Sequence, residues 1–170
     1  MSLHIRLIRA DEWQRLRALR LQALADAPMA FSSTLAREEA FADAAWQERA
    51  AHGAAGADRV TFIAEDGGRW VGLATCLLAP EGDLGGGFPT LVGMFVDKSA
   101  WQRGVGAALV ERVAGWTQER GADRLVLWVT CANQAAIALY RRCGFEPTGS
   151  TRPIAHTPAS AEQEMMRKLK

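Results

Sequence analysis

Apolar and polar positions change period several times along the chain, and each change marks an element. The opening LHIRLIRA alternates as a half-buried strand does. From Trp13 the period lengthens: Trp13, Leu16, Leu19 and Leu24 recur at helical spacing, and Pro28 closes the helix. Asp11, followed three positions later by Gln14, reads as the capping box that opens it. Residues 33 to 50 predict a second, more polar helical segment anchored by Phe41 and Trp46. The run RVTFIAEDGGRWVGLATCLLAP returns to strand patterning twice. Between its halves, Asp66, Gly67 and Gly68 make a turn in which positive φ costs little, so a hairpin is predicted.

Beyond the hairpin, EGDLGGGFP reads as a mobile loop by composition. TLVGMFVD predicts a fourth strand interrupted by Gly93, where a bulge or the close approach of another group is expected. WQRGVGAALVERVAGW opens an amphipathic helix at Gly104. Val105, Ala108, Leu109, Val113 and Trp116 share one face of it, opposite Glu111, Arg112, Gln118 and Glu119, and Gly121 ends it. RLVLWVTC is almost unbroken apolar sequence, which predicts an interior strand covered on both faces. A short helix begins at Asn133 and stops at Gly144, and FEPTGST predicts a sixth strand. The final EQEMMRKLK fits neither period well and leaves helix and strand open. With no internal repeat and no linker, the pattern is one mixed α/β layered domain over residues 1–170, four strands preceding the glycine pair.

Composition narrows the partners. A chain of 170 residues has one domain's worth of core. Its 20 basic and 19 acidic residues, net +1, supply none of the broad positive field that nucleic acid or an anionic membrane requires, so neither is an expected partner. Cys76, Cys131 and Cys143 are odd in number, and His4, His52 and His156 are scattered, so neither a disulfide framework nor a metal site is indicated. MSLHIRLIRADEW has too short an apolar run for a signal peptide, and no uncharged apolar run reaches about 18 residues, so a cytoplasmic location is expected.

The candidate chemistry starts at the glycine pair. A strand ending near Asp97, a tight loop and a helix opening at Gly104 aim several backbone N–H groups at one point, with about half a unit of positive dipole charge behind them. That is a phosphate cradle, although close packing of a strand-to-helix turn would also use glycine. The pattern is neither a nucleotide-triphosphate loop, which needs lysine then serine or threonine, nor a dinucleotide fingerprint, which needs a third glycine. Further on, NQAAIALYRRCGFEP offers Asn133 at a helix start and Tyr140 two turns along, residues that capping and packing would also explain.

Taken together, the two stretches resemble the GCN5-related N-acetyltransferase family. Its cofactor motif runs arginine or glutamine, any two residues, glycine, any residue, then glycine or alanine. Here Trp101, Gln102, Arg103, Gly104, Val105 and Gly106 occupy it, with Trp101 standing where the family has a basic or amide side chain. NQAAIALYRRCGFE is similar to the family's other signature, and the specific match runs from about residue 90 to 146. The resemblance implies a single mixed, mostly antiparallel seven-stranded sheet with helices on both faces, splayed between strands four and five, and it makes EQEMMRKL the last strand. It further implies that acetyl-CoA lies in the splay, its pantetheine arm on Met94 and Val96 and its diphosphate on the motif through Ala107, with Asn133 a further contact. Arg103 and Arg142 are candidates for the phosphates.

An amine must attack the thioester as the free base, yet an alkylammonium of pKa ~10.4 lies about three units, or roughly 4 to 5 kcal/mol, from neutral at pH 7. The departing thiolate needs a proton, and the resemblance makes Tyr140 the general acid. A backbone N–H of the fourth strand would steady the oxyanion of the intermediate. For the base, Glu65 is the leading candidate, with Glu38, Glu39 and Asp97 also open, directly or through water. The acceptor would be a small-molecule amine or a protein amino group. Acidic Glu38 and Glu39 in the region that walls the family's acceptor site suit a cationic one. Many relatives pair as homodimers, which makes dimerisation an expectation. Two other functions remain open: an acyl-CoA sensor without turnover, and a phosphate-binding domain for another nucleotide.

Overall fold

The computed structural model describes residues 2–80 and 85–170. Glu81 to Leu84, the first four residues of the stretch expected to be a mobile loop, lie outside the described residues. Among the described residues, seven strands share one sheet: β1 (Leu3–Leu7), β2 (Arg59–Asp66), β3 (Arg69–Leu77), β4 (Thr90–Val96), β5 (Arg124–Thr130), β6 (Glu146–Ile154) and β7 (Thr157–Lys168). Their spatial order is β1-β2-β3-β4-β5-β7-β6. Every neighbouring pair is antiparallel except β4 and β5, which run parallel.

Strand alternation sends apolar side chains to both faces, and helices cover each. On one face Val60, Phe62, Ala64, Leu125, Leu127 and Val129 pack under α4 (Val105–Glu119) and α5 (Gln134–Arg142). On the other, Ile63, Leu73 and Phe95 meet Leu16, Leu19 and Trp46 from α1 (Trp13–Asp26) and α3 (Asp43–Ala55). The expected stripe on α4 is present, with Val105, Leu109, Val113 and Trp116 all buried. The ambiguous tail is β7. It extends from Thr157 and pairs with β5 from Arg124↔Lys168 to Thr130↔Glu162, so β5 is flanked on both sides as an interior strand.

Two local expectations are corrected. The chain enters α1 through a single turn at Ala10–Glu12, so capping falls to Glu12 rather than to Asp11, whose side chain is 83% exposed. Glu12 Oε2 accepts from the Arg9 N–H at 2.9 Å, while Arg6 grips both carboxylate oxygens at 2.8 and 2.9 Å. Burial is possible there because the guanidinium supplies the charge that water gives up. The segment at 33 to 50 is two helices, α2 (Leu35–Glu39) and α3, not one. Phe41 and Trp46 are five residues apart, which on a continuous helix of 3.6 residues per turn would turn them roughly 140° away from each other. The break between the helices lets their rings meet at 6.0 Å.

Candidate functional site

β4 and β5 pair only at Thr90↔Val126 and Leu91↔Leu127. Immediately afterwards Gly93 takes φ +62°, and three steps along β4 match two along β3, since Leu73 faces Phe95 and Thr75 faces Val92. The extra residue bends β4 away from β5, as a bulge does. At the far end the Asp97 N–H reaches the Val71 carbonyl at 2.8 Å. In an antiparallel ladder this places the N–H and C=O of Val96, opposite Gly72, on the side away from β3. Met94, two positions back, shares that orientation by alternation. Both therefore face the gap.

The loop from β4 to α4 ends in two residues of positive φ, Gln102 at +60° and Gly104 at +76°. The left-handed residue at Gly104 swings the chain into α4, whose first bond runs from the Ala108 N–H to the Gly104 carbonyl at 3.0 Å. The N–H groups of Val105, Gly106 and Ala107 precede that ladder and point out of the helix end beside the gap. Gly106 is small for a different reason. A Cβ there would come within 2.8 Å of Leu139 Cδ2 and 3.4 Å of Met94 Cε, so its role includes seating α4 against α5. Arg103 is engaged with Asp66 at 2.9 Å, on the hairpin rather than at the helix end. Trp101 is largely exposed, its indole N–H bound to the Val96 carbonyl.

Asn133 caps α5, its Oδ1 accepting from the Ala136 N–H at 3.2 Å. Tyr140 is buried, edge-on to Phe145 with ring centroids 5.9 Å apart. Burial, and secondarily Cys143, push its phenol well above the ordinary tyrosine value, so it holds its proton at neutral pH. Arg142 is exposed in the last turn of α5.

Three of the four carboxylates proposed as bases, Glu65, Asp97 and Glu38, are engaged by other groups. Glu65 accepts from Arg6 at 2.8 Å and from the Trp70 indole at 3.1 Å, and Arg6 above all holds its pKa below the usual carboxylate range. It does not line the cavity described next. Asp97 caps the turn at Lys98–Ala100 through the Ser99 N–H and hydroxyl, and also accepts from Gln22. Glu38 is fully buried. Burial alone would raise its pKa, but Arg20 and Arg49, at 2.9 and 2.8 Å, hold it at about 2. Glu39 is exposed. Of the acidic pair expected in the acceptor region, Glu38 is thus neutralised from within.

A cavity of about 320 Å³ opens against β4 at Thr90 to Gly93 and extends under α1, α3 and the segment at Ala30 to Ser32. Trp46, Phe31 and Trp128 supply apolar walls, and Arg20, Arg49, Arg59, Arg152 and Glu162 the charges. These arginines were missed in the sequence because each sits on a different element. The one local hint was strand alternation on β2, which puts Arg59 on the same face as Thr61 and Ile63.

The sequence model of the Acetyltransferase (GNAT) family matches residues 20–145. An uncharacterised N-acetyltransferase of Methanocaldococcus jannaschii is 40% identical over 53 residues, which is 31% of this chain and 24% of that one, so the match spans about a quarter of the relative's length. An acetyltransferase of the GNAT family from Streptococcus pneumoniae superposes with a TM-score of 0.79 at 21% identity, covering 99% of this chain and 100% of that one. A putative acetyltransferase from Salmonella typhimurium, solved with its cofactor acetyl-CoA, reaches 0.80 at 16% identity, covering 100% and 95%. At these identities the structural likeness speaks to the fold.

Proposed function

The chain belongs to the acetyltransferase (GNAT) family, and from that premise we propose that it moves the acetyl group of acetyl-CoA to a primary amine by direct attack in a ternary complex. The observation that carries the reading is the parting of β4 from β5 directly beside the uncovered N–H groups that open α4. The residues fit the co-substrate: Val105, Gly106 and Ala107 offer main-chain donors to a diphosphate, and Met94 and Val96 turn strand edges toward an amide-bearing arm. Acetyl-CoA supplies an activated acyl carbon and a thiolate leaving group.

The acceptor nitrogen forms a bond to the acyl carbon as the carbon–sulfur bond breaks, the Met94 N–H steadying the oxyanion. Tyr140 delivers its proton to the sulfur and recovers one from solvent. With Glu65, Asp97 and Glu38 committed elsewhere, deprotonation of the ammonium rests on the cavity's positive charge, which disfavours a like-charged acceptor and lets its proton pass to water. Acetyl-CoA should raise the melting temperature and release free thiol when amines are supplied. Stabilisation by acetyl-CoA without thiol release on any amine would leave a sensor. Stabilisation by ATP or NAD but not by acetyl-CoA would overturn the reading.

A further inference from the structure

The cavity's charges do not balance. Of the four arginines that line it among the described residues, Arg152 is paired with Glu162 at 2.6 Å. Arg20 and Arg49 share a single buried carboxylate, Glu38. Arg59 has Asp58 as its nearest carboxylate among the described residues, 75% exposed and 3.9 Å away, beyond hydrogen-bonding distance. Its Nε is buried without a hydrogen-bond partner among those residues. Among the described residues, four guanidiniums against Glu162, Glu38 and the solvent-exposed Asp58 leave a surplus of about one to two positive charges facing a half-enclosed, partly apolar space. A cationic acceptor would bind there against repulsion. An acceptor that brings its own negative charge would be held by it, and guanidinium is the group best shaped to grip a carboxylate.

The position of Arg20 narrows the class further. A Cβ placed on Gly93 would stand 3.7 Å from Arg20 Nη1, so this guanidinium lies against the bulge where the acyl carbon would be attacked. A carboxylate on Arg20 and an amine at the open edge of β4 can then be separated by very little, and an α-amino acid separates them by one carbon. Phe31, Trp46 and Trp128 line the remaining space with apolar surface, and about 320 Å³ suits one such molecule.

We propose that the acceptor is a free α-amino acid with an apolar side chain, its carboxylate held by Arg20 and Arg59 and its amine directed at the acetyl carbon beside Gly93. This rests on the transferase reading above. The α-ammonium gives its proton to solvent, the nitrogen–carbon bond forms as the carbon–sulfur bond breaks, and the products are the N-acetylated amino acid and the free thiol of CoA.

The test uses the intact protein saturated with CoA and titrates in L-leucine, L-methionine and L-phenylalanine, each beside its amide and its decarboxylated amine. At least one of the acids should bind roughly 10- to 100-fold more tightly than its amide, the range a charge-assisted contact supplies, and the amine should bind more weakly still. Arg59→Gln should pull that ratio toward one, and Arg59→Lys should restore part of it. Equal affinity for acid and amide, a preference for the amine, or binding of none of the three acids overturns the proposal. Thiol release from acetyl-CoA is followed in parallel: binding of the acids without release on any amine refutes the transferase reading while the charge selectivity stands.

Discussion

The indole N–H of Trp101 donates to the carbonyl of Val96 across 2.8 Å, tying the loop ahead of α4 back to the end of β4. The position where the family carries a basic or amide side chain is thus used here to brace the main chain. Val96's carbonyl is occupied, while its N–H still faces the gap. Trp101→Phe should cost about 1 kcal/mol in urea unfolding, the usual net worth of one hydrogen bond, and leave acetyl-CoA affinity within about threefold. A loss of affinity beyond tenfold would make the indole itself a cofactor contact.

The two motif glycines should respond differently to alanine. Gly104→Ala forces a Cβ into φ +76°, a strain of about 1 to 2 kcal/mol at the cradle itself. Gly106→Ala meets the flexible side-chain ends of Leu139 and Met94, which can shift aside, so its cost should stay below about 1 kcal/mol. Unfolding curves with and without acetyl-CoA would check this, and a larger loss of ligand-induced stabilisation is expected for Gly104→Ala.

Tyr140→Phe removes the proton donor and keeps the ring that packs on Phe145. Turnover, followed by mass spectrometry of the released thiol, should fall by about 10² to 10³, within the range general acid catalysis supplies, with little change in acetyl-CoA binding. Turnover within a few-fold of the parent would remove Tyr140 from the mechanism.

Glu65→Gln tests the reassignment of the base. Its carboxylate serves Arg6 and Trp70, so unfolding free energy should fall by about 1 to 2 kcal/mol. Thiol release should change less than about threefold, and kcat/KM should still climb with pH toward the pKa of the acceptor amine. A hundredfold fall in a folded variant would return Glu65 to the reaction.

Glu38 links the acceptor wall to acid stability. Its folded pKa of about 2 lies below an ordinary glutamate value of ~4.3, so the stabilisation is complete above pH ~4.3 and is lost as pH falls through about 2. Each tenfold difference in proton affinity between the unfolded and folded chain is worth about 1.4 kcal/mol, which makes the contribution of Glu38 at neutral pH roughly 3 kcal/mol. Glu38→Gln should therefore be much less stable than the parent at pH 7, and the difference should shrink as both are titrated toward pH 2. A difference independent of pH would show that Glu38 contributes shape rather than charge.

The hairpin at Asp66 to Gly68, the bulge at Gly93, the α4 stripe and the cap at Asn133 were all legible in the sequence. Each is decided within a few residues, by what φ a glycine permits, which face an apolar period fills, or which N–H a nearby side chain can reach. The break at Phe41 and the capping by Glu12 were not, because each answers a partner on another element: Trp46 for the one, Arg6 for the other. The cavity's sign was hidden for the same reason. Glu38 and Glu39 read as an acidic pair, and only the fold shows that one is buried between Arg20 and Arg49 while the other points to solvent.

By itself, then, the sequence determined where the chain turns, where the fourth strand is interrupted at Gly93 and where a helix opens at a glycine pair, since local sterics and hydrogen-bonding needs act between near neighbours; the parting of strand four from strand five came only as what the family resemblance implied. What only the tertiary structure decided is which charges survive pairing inside the cavity. Coulomb energy depends on separation in space and on burial, and Arg20, Arg49 and Arg59 are brought into one wall, with Glu38 buried against the first two, only by the packing of α1, α2, α3 and β2.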